Sequence, residues 1–140
     1  MTVSWVESVE SRLWSLGRRL WGGDEKSRLR EEVMGAVEDL RKRYDGLKQA
    51  RAELEAMRQR IADDQANAAL LTAAVDNSLR RGAGEQAYRL ALELDAVRKR
   101  LADDQARLPK QEQLCWSLDF QLRHIERRVA RMQQRLLCVS

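Results

Sequence analysis

The sequence predicts an all-α chain: a long antiparallel coiled-coil helical hairpin preceded by a short amphipathic helix. Three observations carry this. An apolar seven-residue period runs through two long segments, a single glycine-containing break separates those segments, and the composition suits long helices. Charged residues make up 34% of the 140 residues and aromatics 5%, with 7 Gly and 1 Pro. Few aromatics beside many Arg, Glu, Gln, Ala and Leu imply a narrow apolar seam with wide solvated faces rather than a compact mixed core.

Residues 1–23 form the first element, an expected amphipathic helix that ends at Gly22-Gly23. At 100° per residue, Trp5, Val6, Val9, Leu13, Trp14, Leu16, Leu20 and Trp21 fall on one half of the helical wheel. Arg12, Arg18, Arg19 and four serines occupy the other half, and only Glu10 intrudes on the apolar arc. Trp favours the membrane–water interface and arginines beside it attract anionic headgroups, so this helix is expected to lie on an anionic lipid surface. The competing reading packs the same face on the hairpin or on a neighbouring subunit.

The hairpin is expected over 24–140, with an arm over 26–80 that Asp24 or Ser27 can cap, a turn at 81–84 and a returning arm over 85–137. In the first arm one seam position reads Val33, Leu40, Leu47, Leu54, Ile61, Ala68, Val75, and the other Leu29, Ala36, Arg43, Ala50, Met57, Asp64, Leu71. In the second arm the positions read Ala87, Leu94, Leu101, Leu108, Cys115, Leu122, Val129, Leu136 and Leu90, Val97, Asp104, Gln111, Leu118, Ile125, Met132. A seven-residue period held this long specifies a left-handed supercoil. The break Arg81-Gly82-Ala83-Gly84 folds the arms back on each other. Pro109 is expected to kink the second arm or divide it in two, because it removes a bond to the carbonyl of Gln105.

An internal echo sets the pairing. Arg-Gln-Arg-Ile-Ala-Asp-Asp-Gln-Ala at 58–66 recurs as Arg-Lys-Arg-Leu-Ala-Asp-Asp-Gln-Ala at 98–106, and the midpoint between the copies is residue 82. Arg60 should therefore face the region of Asp104, and Arg100 the region of Asp64. Paired carboxylates invite an acid–base reading. A two-helix seam offers no pocket, nucleophile or metal set beside them, so the four residues are read as fixing the hairpin register.

The remaining chemistry is sparse. The lone His124 flanks the seam and makes no metal site. Cys115 and Cys138 on one helix stand roughly 35 Å apart and cannot pair within the chain, which suits a reducing cytosol. No catalytic residue, metal or cofactor is expected. The formal net charge of +4 favours anionic surfaces mildly. The specific nucleic-acid modules are absent, so no nucleic-acid partner is expected. There is no apolar run of 18 residues to span a membrane. Glu7, Glu10 and Arg12 interrupt the N-terminus as a secretory signal. Trp116 and Phe120, one helical turn apart and off the seam, are expected to contact another chain or the first helix.

Around the turn, Ala73-Ala74-Val75-Asp76-Asn77-Ser78-Leu79 precedes the break and Glu85-Gln86-Ala87-Tyr88-Arg89-Leu90-Ala91-Leu92 follows it. These stretches, with Leu118 through Arg131-Met132 as a returning arm, resemble the phage-shock-protein A family, bacterial relatives of the ESCRT-III membrane remodellers. The order of amphipathic helix, arm, turn and arm matches along nearly the whole chain. The resemblance implies a cytoplasmic stress-response protein, peripheral on the inner face of the cell membrane. It also implies a homo-oligomer of stacked hairpins, with a AAA+ regulator or a larger family paralogue as further partners. Family members usually continue with more helices, so the expected form is a shortened one, and Pro109 departs from an arm that is normally continuous.

Overall fold

Leu, Ala, Arg, Glu, Gln and Lys dominate residues 24–139, and all of them lose little side-chain freedom in a helix. In the computed structural model, which describes residues 24–139 and their side chains from 27 to 138, these residues form two long helices. The expected first helix, with Trp5, Val6, Val9, Arg12, Leu13, Trp14, Leu16, Arg18, Arg19, Leu20 and Trp21, lies outside the described residues. Helix α1 runs over Asp24–Arg80 and α2 over Gly84–Val139, and together they form a hairpin. Ser27 lies inside α1. Acid-before-base pairs one turn apart support the exposed faces: Asp39–Arg43 at 3.7 Å, Asp95–Lys99 at 3.0 Å and Asp119–Arg123 at 3.2 Å.

The turn is a Schellman closure. Ala83 N–H donates to the Ser78 carbonyl at 2.9 Å and Gly82 N–H to the Leu79 carbonyl at 3.1 Å, which satisfies carbonyls that the end of α1 leaves open. The geometry needs a left-handed residue, and Gly82 supplies it with φ of 74°. Ala83 then offers its carbonyl to Ala87 N–H at 3.0 Å, opening α2.

Pro109 lies inside α2 and does not divide it. Both Pro109 and Gln105 are exposed, so water can satisfy the carbonyl that loses its N–H partner, and the ring meets solvent rather than α1.

The two helices contribute to two compact units, one joining residues 24–48 to 116–139 and the other spanning 49–115. In the first, Val33, Val37, Val129, Met132 and Leu136 form one buried cluster, and Leu40, Leu47 and Leu122 form another with Tyr44, Leu118 and Ile125 packed against it. Leu40 and Leu47 are almost wholly buried, and each contributes roughly 1.5–3 kcal/mol of hydrophobic stabilisation. Here the expected seam shifts by one residue. Arg43 is exposed and bonds Gln121, while Val37 and Tyr44 turn inward beside Leu40. A guanidinium is costly to bury and a phenol ring is not, so the helix rotates the ring toward the core.

In the second unit Ala50, Leu54, Met57, Ile61, Ala87, Leu94, Val97 and Cys115 are buried. Two polar side chains join them, Asp104 and Ser78. Gln111 sits at the same seam and donates to the Ala50 carbonyl at 3.0 Å, so its amide is partnered rather than stranded.

Candidate functional site

The echoed sequence places an Asp from each helix at the seam of the second unit. An arginine four residues before each copy's second Asp reaches across to the opposite helix. Arg60 Nε stands 3.5 Å from Asp104 Oδ2, and Arg100 Nη2 stands 3.4 Å from Asp64 Oδ1. The structure thus brings together all four residues that the sequence singles out, as two crossed ion pairs. Arg107, one turn further along α2, also donates to Asp104. Asp63 and Asp103 stand at the rim of the same open groove, and Asp63 accepts from Gln59 at 3.0 Å.

The two inner carboxylates differ in depth. The Asp104 side chain is 6% exposed and the Asp64 side chain 16%, whereas their arginines are more than half exposed. The Arg60 hydrogen bond holds the Asp104 carboxyl below its ordinary value of 3.8, with Arg107 adding to the effect and burial opposing it. A general acid must keep its proton near neutral pH, which calls for the opposite shift. Among the described residues no group of His, Cys, Asp and Glu is arranged to hold a metal ion. Sliding either helix by a residue would take a buried carboxylate away from its guanidinium, so the arrangement is suited to favouring one register.

Trp116 and Phe120 belong to the first unit, on the side of α2 turned away from α1. Their rings stack with centroids 5.8 Å apart and planes inclined by 20°. They are 69% and 62% exposed, which makes them a solvent-facing aromatic plate rather than core. His124 is exposed as well. Cys115 is buried and Cys138 exposed, and both are free thiols.

The aromatic pair does not stand alone on its face of α2. From Phe120 the outward ridge of α2 continues through Arg123, Arg127 and Arg131, all exposed. The signal was present as i, i+4, i+7, i+11, i+15 spacing from Trp116, which keeps five side chains on one helix face. No helix among the described residues is long and apolar enough to cross a membrane. No protein-family model, curated protein or solved structure matches the chain, and so none identifies the phage-shock-protein A family.

Proposed function

We propose that this chain is a peripheral membrane protein. It binds anionic lipid through residues 1–23, self-associates through its hairpin, and serves membrane maintenance in the manner of phage-shock protein A. The observation that carries the reading is the amphipathic wheel of residues 1–23, where three of the chain's 4 Trp line one face and Arg12, Arg18 and Arg19 the other. The helical hairpin supports it. We take its helices to pair as an antiparallel coiled coil, because buried residues recur at seven-residue intervals from Leu40 to Ile61 and from Cys115 to Leu136. Self-association, a cytoplasmic position on the inner membrane face and partnership with a AAA+ regulator or a larger paralogue follow from the resemblance.

Flotation on vesicles containing phosphatidylglycerol tests the membrane claim. The full chain should float and a chain lacking residues 1–23 should lose most of that binding. Equal flotation of the two would sink the proposal.

A second reading, a soluble coiled-coil adaptor for a protein partner such as a AAA+ activator, is favoured by exposed apolar side chains near the turn. Leu79, Tyr88 and Leu92 are all more than half exposed. On that reading anionic vesicles leave the protein in solution and the Trp residues of the first helix are already shielded without lipid.

A further inference from the structure

We infer that the outward ridge of α2 formed by Trp116, Phe120, Arg123, Arg127 and Arg131 is a second lipid-contact surface, built to seat on an anionic membrane. This extends the membrane reading above and rests on it for the presence of a lipid surface, but it assigns contact to the hairpin itself.

At roughly 100° per residue the five side chains span about 80° of the helix circumference, centred opposite the buried line Cys115, Leu122, Val129 and Leu136. They cover about 22 Å of helix from Trp116 to Arg131. All five are exposed. Among the described residues this face therefore contributes nothing to the core.

Charge says which partner. Residues 116–139 carry Arg123, Arg127, Arg128, Arg131 and Arg135 against only Asp119 and Glu126. Residues 24–48 of α1 in the same unit are balanced, with 24, 25, 31, 32, 38, 39 and 45 acidic and 26, 28, 30, 41, 42, 43 and 48 basic. The basic excess of the unit thus lies on α2. Asp119 pairs with Arg123 at 3.2 Å, while Arg127 and Arg131 have no carboxylate partner among the described residues. The two acids are half-buried on the flank of the ridge rather than on it.

The aromatic pair suits lipid. Trp116 and Phe120 present exposed ring surfaces on the convex outer face of a helix, whereas single-stranded nucleic acid is held in a basic groove that tracks its backbone. An indole beside arginines on a convex ridge instead suits the headgroup–acyl boundary. Arginines near an anionic leaflet each strengthen binding several-fold, so the three together are worth on the order of 100-fold.

The test uses the full chain with Trp5→Phe, Trp14→Phe and Trp21→Phe, which leaves Trp116 as the only indole. On phosphatidylglycerol vesicles doped with brominated phosphatidylcholine, Trp116 emission should shift to the blue and be quenched. On vesicles of phosphatidylcholine alone it should not. Adding Arg123→Gln, Arg127→Gln and Arg131→Gln should remove the quenching and weaken vesicle binding on the order of 100-fold. Flotation of both the unsubstituted chain and the Trp→Phe chain, run in parallel, reports the membrane reading separately. If the Trp→Phe chain itself floats but Trp116 is not quenched, the ridge is not a lipid contact and residues 1–23 alone bind. A blue shift without bromine quenching would mean a protein covers Trp116. A shift produced by duplex DNA and not by vesicles would mean the ridge reads phosphates of nucleic acid. Each of these three results overturns the inference.

Discussion

Arg60 on α1 holds Asp104 on α2 at 3.5 Å, and the same pair is repeated in mirror order by Arg100 and Asp64 at 3.4 Å. The carboxylates are inward and the guanidiniums outward. Such an arrangement specifies register more than it stabilises, because a half-buried ion pair gives back in desolvation much of what it gains in attraction. Replacing both acids with leucine leaves only arginines that already reach solvent. Asp64→Leu with Asp104→Leu should therefore raise the urea midpoint of unfolding. Arg60→Ala with Arg107→Ala should lower it, since Asp104 would then stay buried without its guanidiniums. Equilibrium unfolding followed by circular dichroism reads both signs.

Asp104 also makes stability depend on pH. Its folded value lies below the ordinary 3.8, so its contribution is fully present above about pH 4 and is lost as pH falls through the lower folded value. Asp104→Asn should flatten the acid limb of a Tm-against-pH curve. Glu126 has the opposite sign. Its folded value is raised by burial, so its contribution is present below the ordinary 4.5 and lost as pH rises through the folded value. Glu126→Gln should raise Tm at neutral pH and leave it unchanged in acid.

Gly82→Ala should destabilise the hairpin by about 1 kcal/mol. An added Cβ meets nothing within 4 Å, so the cost is the left-handed φ of 74° alone. Gly84→Ala, at the start of α2 where φ is not positive, should be neutral or stabilising by a few tenths of a kcal/mol. Chemical denaturation of the two variants side by side separates backbone strain from loss of space.

Ser78 is 1% exposed and its hydroxyl has no hydrogen-bond partner. Burying an unpartnered hydroxyl costs roughly 1–3 kcal/mol, and alanine is also the better helix former. Ser78→Ala should stabilise the chain by about 1 kcal/mol, seen as a higher denaturant midpoint at unchanged slope.

Much of this fold is legible in the sequence, for physical reasons that differ from residue to residue. The echo around residue 82 located the facing of Arg60 and Asp104 because a hairpin maps sequence symmetry onto spatial pairing. Trp116 and Phe120 read as outward because they miss the seven-residue period. Period counting failed at Arg43, where it assigned a charge to the seam. Spacing carries no cost of burial, and the neighbouring Tyr44 supplies a better apolar surface. At Pro109 the helix runs on undivided: the local rule counts a lost bond, while exposure of Gln105 lets water replace it. The Gln111 bond to the Ala50 carbonyl and the orphaned Ser78 hydroxyl depend on which groups meet across the seam, and no spacing encodes that.

The central claim joins membrane binding to self-association, so the most direct measurement is particle size with and without lipid. Dynamic light scattering and negative-stain microscopy on the full chain should show assemblies decorating phosphatidylglycerol vesicles and none on phosphatidylcholine vesicles. Particles that keep the same size and stay clear of the vesicle surface in both lipids would contradict it.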